Sequence, residues 1–341
     1  MVTSSFFRSS CWCLALAAWA AVDLRAESVV EIGPTQVIEL VARGPGEKAP
    51  VVSGVALGPE GHLLATAGDD HLVRIWDARR GVLLRRLAAH GDWVRQLAFS
   101  PGGQVLATAG ADRRICLWQT ASDEPYGVLD DWAEAIAALA FSPDGRLLAA
   151  GGFETKVRIF EGGSGSLLRV LDAPGGDIRA LAFAPDGKRL ATAGRGGRIR
   201  VWDASTGEAV YDVVGHRLRV NALAYSADGA LLASAGDERS VFLWEAATGR
   251  QVLALPPRPG KILSLAWCAP RQLAAGGSDN VIRLWDIANR KEAARLVGHT
   301  GSVTALAWDS PSGALVSGSF DTTVRVWQLN VPGTPVLSSR R

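Results

Sequence analysis

Cysteine and histidine are both scarce in this chain of 341 residues, with 4 Cys and 5 His. Cys11 and Cys13 fall in an N-terminal apolar segment, which leaves Cys116 and Cys268, each inside an apolar, strand-like stretch. Two isolated cysteines so far apart read as small buried hydrophobes; a bridge between them is permitted outside the cytoplasm, but nothing requires it. No Cys-x-x-Cys-His run is present, so covalent haem is not indicated. Neither sign of charge prevails: 36 Lys and Arg against 34 Asp and Glu leave +2, which argues against nucleic acid as the partner. Beyond the N-terminal segment no apolar run approaches the roughly 20 residues that cross a bilayer. Methionine (1) and tyrosine (3) are nearly missing, whereas Trp (12) and Gly (38) are abundant. That imbalance suggests a repeating unit that needs one large ring and several tight turns each time.

The first 20 residues read as a signal peptide. Arg8 is followed by an uninterrupted apolar run, Cys11 to Val22, and Ala18-Trp19-Ala20 puts small residues where a signal peptidase reads. A buried or amphipathic N-terminal helix, or a mistaken start site, is the competing reading. Removal of the segment would place the mature chain in the periplasm or outside the cell. The cysteines form no Leu-x-x-Cys lipoprotein site, so a lipid anchor is not expected.

Internal periodicity sets the architecture. Val73-Arg74-Ile75-Trp76 is echoed by Ile115-Cys116-Leu117-Trp118, Val157-Arg158-Ile159-Phe160, Ile199-Arg200-Val201-Trp202, Val241-Phe242-Leu243-Trp244, Ile282-Arg283-Leu284-Trp285 and Val324-Arg325-Val326-Trp327. Successive ring positions are 42, 42, 42, 42, 41 and 42 residues apart. Within a unit, short strands alternate with turns. In the second, Val94 to Ser100, Gln104 to Ala109 and Arg114 to Trp118 read as strands, the last alternating outward and inward side chains. Turns such as Ser142-Pro143-Asp144-Gly145 and Ala184-Pro185-Asp186-Gly187 explain themselves: Pro sets φ, Asp tolerates the third position, and Gly takes the positive φ. A sheet of this size, apolar on both faces, is buried only by stacking radially against its neighbours. The expectation is an all-β, seven-bladed β-propeller of four-stranded antiparallel blades over residues 36–330. The last unit lacks a fourth strand, and Gln36 to Ala42 has strand character, so this N-terminal strand is expected to close the last blade. Residues 331–341, with Pro332 and Pro335, read as a flexible tail.

These units resemble the WD-repeat (WD40) family. Trp-Asp stands at Trp76-Asp77, Trp202-Asp203 and Trp285-Asp286, and Gly-His at Gly215-His216 and Gly298-His299. With the N-terminal segment, the resemblance points to an exported, bacterial member. It implies a buried hydrogen-bonded set of His, strand Ser or Thr, turn Asp and Trp. The second unit matches in full (His90, Thr108, Asp112, Trp118), as does the seventh (His299, Ser317, Asp321, Trp327). The fifth is close, with His216, Ser234, Glu238 and Trp244. These histidines are therefore read as scaffold rather than metal ligands or catalysts. The remaining two, His62 and His71, fall in turns with no ligand partner at a recognised spacing. The His position is Lys48 in the first unit, Trp132 in the third and Pro174 in the fourth, and the sixth shows none. Those departures put the local rigidity of these blades in question.

Other candidate chemistry is weak. Arg195-Gly196-Gly197-Arg198 lies between two strands with no helix after it, so a hairpin turn is expected rather than a phosphate cradle. There is no Gly-x-Ser-x-Gly elbow, and Asp69-Asp70 and Asp130-Asp131 sit in or near turns. The family's partners commonly meet the face made by the loops before the first strand and between the second and third. Carried onto this sequence, those loops contribute Trp93, Arg95, Asp177, Arg179, Arg219, Asn221 and Lys261, and from the second-to-third turns Asp69, Phe153, Arg195, Asp237 and Phe320. Arg and aromatic residues are the types that anchor interfaces, although a propeller rim exposes charges in any case. The expected function is a non-enzymatic scaffold, monomeric and without a cofactor or metal, that binds an acidic protein or peptide there. The alternative is a propeller enzyme or small-ligand or metal binder using the central channel.

Overall fold

The computed structural model describes residues 29–41 and 46–329. The expected signal peptide and the expected flexible tail lie outside the described residues. Seven antiparallel sheets are built as up-and-down meanders. In blade one the strands run Val52–Leu57, Leu63–Gly68, Val73–Asp77 and Val82–Leu87; in blade two, Val94–Phe99, Val105–Gly110, Ile115–Gln119 and Pro125–Leu129. The innermost strand of each blade is called a here and the outermost d.

The turn chemistry is local. In blade three the Ser142 carbonyl accepts from the Gly145 amide (2.9 Å), and Gly145 takes φ +73°. The Ser142 hydroxyl donates to Asp144 Oδ1 (2.6 Å) and accepts from the Leu147 amide (2.9 Å), which locks the entry to strand b.

Strand c does not alternate between core and solvent as the sequence pattern suggests. Val73, Arg74, Ile75 and Trp76 are all buried. Both faces of strand c are packed, because each blade is sandwiched between two others. Only the outer strands alternate with solvent, as Val82–Leu87 does. One core cluster fills each joint between neighbouring blades: Val73, Leu87, Leu106 and Trp118 between blades one and two, for example, and Val157, Ile178 and Trp202 between three and four. The cluster of Val52, Val55, Leu64 and Trp76 with Val316 and Val324 joins blade one to blade seven, so the ring is closed.

Of two N-terminal strands, the second makes that closure. Strand β2 (Gln36–Glu39) pairs antiparallel with Thr323–Gln328, with Ile38 opposite Val324, and forms the outer strand of blade seven, as expected. Strand β1 (Val30–Ile32) runs parallel to Lys291–Leu296 and gives blade six a fifth strand. The propeller therefore begins before residue 36. Three residues are too short to show periodicity, which is why the sequence pattern starts later than the fold.

Candidate interaction face

Three histidines each sit in a hydrogen-bonded set with a strand hydroxyl, a turn carboxylate and a Trp. His90 Nδ1 lies 2.8 Å from Asp112 and Nε2 lies 2.7 Å from the Thr108 hydroxyl, which also accepts from Trp118 Nε1 at 2.9 Å. His299 repeats this with Asp321 (2.8 Å) and Ser317 (2.7 Å), and Trp327 donates to Ser317 at 2.8 Å. His216 uses Glu238 (2.9 Å) and Ser234 (2.6 Å), with Trp244 donating to Ser234 at 2.7 Å. A neutral ring protonated at Nδ1 gives every group a complementary partner: N–H to carboxylate, hydroxyl O–H to Nε2, indole N–H to the hydroxyl oxygen. Burial pushes the His216 pKa down, and Glu238 offsets only part of that. Burial pushes the Asp112 and Asp321 carboxyls up, but hydrogen bonds from His90 and His299, and from backbone amides, outweigh it and hold both below the ordinary carboxylate range.

The blades without His substitute for it rather than lose it. In blade six Arg258 fills the place, 4 % exposed, where no equivalent was expected. It pairs with Asp279 and donates to the carbonyls of Ala275 and Val281, both at 2.7 Å. The unit is one residue shorter, and a charged group in a His slot is easily read as loop. In blade three Trp132 is buried, with its ring 6.4 Å from Phe160 and the Arg158 guanidinium 4.1 Å from the ring centre. The polar set has become an apolar one, consistent with Ala150 standing where every blade but this one and blade six carries Ser or Thr. Blades one and four keep the Trp–Thr bond (Trp76 to Thr66 and Trp202 to Thr192, both 2.9 Å). Lys48 is exposed. Blade one's turn carboxylate, Asp70, is instead gripped by buried Arg74, and in blade four Arg200 pairs with Asp212. Arg–Asp pairs thus stand in blades one, four and six, and a Trp132–Phe160 contact in blade three, the blades that have no His set.

Cys116 and Cys268 are buried and unbridged, and burial pushes both thiols up to about 12. The Arg195-Gly196-Gly197-Arg198 segment is a hairpin turn, with Gly197 at φ +72°. Among the described residues, no three or more His, Cys, Asp or Glu come together in a group that could hold a metal ion.

The face carrying the d-to-a loops and b-to-c turns is shaped by a feature that the sequence reading did not include. The a–b register shifts in every blade after the first pair, for example between Val94 and Gln96 and between Ile178 and Ala180. The skipped residues, Ser53, Arg95, Ala137, Arg179, Asn221, Leu263 and Thr304, stand at the mouth end of the channel as a ring of bulges. A bulge re-aims its side chain out of the ladder. The signal that could have revealed it is the Gly ending strand b. A Cβ on Gly110 would lie 2.3 Å from the Trp93 carbonyl, and one on Gly194 would lie 1.8 Å from that of Asp177. In six blades the residue there is glycine, which lets the bulged strand press its backbone against strand b, while blade seven makes the same bulge with Ser319.

The face residues form two groups. In the first, the Arg95 guanidinium lies 5.1 Å from the Trp93 ring and 5.4 Å from the Phe153 ring. The Arg179 guanidinium also lies against the Phe153 ring, 3.8 Å from its centre, and Trp93 meets Phe320 at 6.2 Å. This aromatic–cation ladder runs from blade seven to blade four, and Phe320 (42 % exposed) and Phe153 (36 %) offer apolar area to solvent. In the second group the charges are largely internally paired. Lys261 meets Asp237 at 3.0 Å, and Asn221 donates to Asp237 (3.0 Å) and to the Ile262 carbonyl (3.1 Å). Asp177 takes Arg179 Nε at 2.8 Å and the Arg195 amide at 2.8 Å, while the Arg195 side chain itself is exposed. Asp69 accepts from the Val51 amide at 2.9 Å. Of the cations proposed from sequence, Arg95, Arg195 and Arg219 form no ion pair among the described residues.

A closed ring of seven four-stranded blades with buried Trp–hydroxyl–His sets defines a β-propeller of repeat origin. Residues 38–77, 81–119, 124–161, 165–203, 207–245, 250–286 and 290–328 each match the family model of the WD domain, G-beta repeat, and the chain belongs to this WD40 family. The first match begins inside β2, so the sequence repeat is one strand out of phase with the blade. That offset is why the N-terminal strand completes the last blade. A comparison with curated proteins gives no match.

Proposed function

We propose that this protein is a non-enzymatic interaction scaffold whose bulged face holds a protein or peptide segment of acidic character. The observation carrying the reading is the ladder Phe320–Trp93–Arg95–Phe153–Arg179, where exposed rings alternate with cations on one rigid face. Membership of the WD40 family supports it, since such propellers are generally interaction scaffolds. Cation–π contacts contribute about 0.5–2 kcal/mol each, so the side chains are held in place before a partner arrives and little ordering cost remains.

The axial cavity favours this over the small-ligand alternative. It measures about 160 Å³ between Leu139, Leu181, Leu223 and Leu265, below the roughly 300–1,000 Å³ usual for small-molecule sites. A larger hollow of about 610 Å³ opens on the opposite face between blades four and five. Its Arg189 is already committed to the Ala246 carbonyl at 2.8 Å.

The test is affinity purification from the native host with quantitative mass spectrometry. Arg95→Glu with Arg219→Glu should deplete a specific partner by at least tenfold while the protein stays folded; unchanged recovery would remove this face from the reading. Export is part of the same proposal, supported by the order of Arg8, the apolar run and Ala18-Trp19-Ala20. A mature native chain that still starts at Met1 would contradict it.

A further inference from the structure

At the ladder's centre two donors are buried without a hydrogen-bond partner among the described residues, Trp93 Nε1 and Arg95 Nε, and Arg219 Nε is a third on the same face. All three are donors. Buried polar groups are ordinarily satisfied, and Arg95 makes no side-chain hydrogen bond or ion pair among the described residues, so the outer Nη end of its guanidinium, which is not buried, is open to an acceptor from outside. We infer that the mouth beside Arg95 is a carboxylate subsite, which seats an Asp or Glu side chain or a C-terminal carboxylate of the bound segment. This deepens the interaction-face reading and rests on it.

The geometry narrows the ligand. Trp93 and Phe153 both lie against the Arg95 guanidinium, so contact with the next partner falls to its N–H edges. That planar edge matches two carboxylate oxygens in one plane. Arg179 cannot compete for the anion on equal terms, because Asp177 already occupies its Nε at 2.8 Å. Its charge still acts on Arg95: burial and then Arg179 push the Arg95 pKa down, and Asp92 opposes them. The Asp92 carboxylate is committed to the Trp93 amide at 2.6 Å and makes no ion pair with Arg95. An incoming carboxylate at the Nη end therefore pairs a cation that has no ion partner and eases a repulsion between two cations at once. Phe320 and Phe153, exposed on either side, suit an apolar residue next to the acid in the bound segment.

The experiment is NMR titration of the full chain, following the Trp93 indole N–H (assigned with Trp93→Phe) and the Arg95 Nε–H. The probes are N-acetyl-glutamate methylamide for a side-chain carboxylate, N-acetyl-glycine for a terminal one, N-acetyl-glutamine methylamide as neutral control, and inorganic phosphate. Saturable shifts of both signals with at least one carboxylate, and none with the neutral amide, are expected; the tighter carboxylate identifies the source. Arg95→Lys, which keeps the charge but loses the fork, should weaken binding roughly tenfold, and Arg95→Gln should abolish it with the rest of the spectrum unmoved. No saturable shift up to ~50 mM, an equal response to the neutral amide, or tighter binding of phosphate than of either carboxylate would each overturn the subsite. A partner that still cross-links to this face when carboxylates do not bind would leave the interaction-face reading standing and reject only the subsite.

Discussion

Thr108, Ser234 and Ser317 each hold two buried rings through one oxygen, and the energetics of the scaffold are sharpest there. Thr108→Val keeps shape but leaves the indole N–H and the imidazole Nε2 buried and unpaired. A loss of about 2–4 kcal/mol in urea unfolding is expected, far more than an exposed Thr→Val change would give. Blade six offers the converse. Trp285 Nε1 is buried without a partner, and Ala275 stands ten residues before it, where the other Trp blades carry the hydroxyl. Ala275→Ser should stabilise the protein by about 1 kcal/mol; a loss of stability would show that Arg258 has reshaped the slot. The pH dependence follows from His216. Its folded pKa lies below the ordinary 6.5, so the unfolded chain binds more protons as pH falls through that value, and stability declines below it. Asp112 and Asp321, held below the ordinary 3.8, keep their full contribution above that pH and lose it only as pH falls further. Urea midpoints should be flat above pH 7.5 and fall from pH 6.5 to 5, and His216→Gln should flatten that first step. A midpoint that rises on acidification would contradict the buried neutral ring. These sets were legible in sequence because His, hydroxyl and acid recur at fixed intervals. Arg258 was not, since a cation in a His slot matches no pattern until its contact with Asp279 is seen.

At the scale of the strand, the bulge ring turns a scaffold into a face. Six of the seven bulges face a glycine at the end of strand b and blade seven has Ser319; at the bulge facing Gly110, Gly110→Ala should force the Trp93 carbonyl away and cost about 1–3 kcal/mol. The same change should move the Trp93 indole signal; an unperturbed melt and spectrum would mean that the close approach is not a constraint. Turns such as Ser142-Pro143-Asp144-Gly145 could be read directly, because each residue type has one physical reason to be there. The bulges could not. Skipping one residue leaves an apolar strand looking equally apolar, and only the pairing register shows that Arg95 and Arg179 have left the ladder. The pairing of Lys261 with Asp237 was equally hidden, because it depends on how loops from neighbouring blades meet, and that of Arg179 with Asp177, two residues away, shows only once the bulge turns Arg179 out of the ladder.

Across the whole molecule, seven joints share the load, and the seven-to-one joint alone depends on a strand distant in sequence. Deleting residues up to 33 removes β1 and should leave a folded ring with modest loss, whereas deletion up to 41 also removes β2. The second deletion exposes the edge of Thr323–Gln328 and uncovers Val324, now packed with Ile38. It should melt well below the first and self-associate on size exclusion through the open edge. Equal melting of the two would refute closure by β2. The near-constant 42-residue spacing made the ring readable from sequence, while the proposed interaction face is built by neighbouring blades together. Phe320 and Trp93 come from blades on either side of blade one, and nothing in either unit alone announces their contact.

The central claim is that the bulged face, and not the opposite one, meets the partner. Site-specific photo-cross-linkers placed singly at Phe153, at Phe320 and, on the opposite face, at Asp186 would measure it directly in the native host. The account predicts one shared adduct from positions 153 and 320 and none from 186. An adduct from 186 alone would place the partner over the opposite hollow and contradict it.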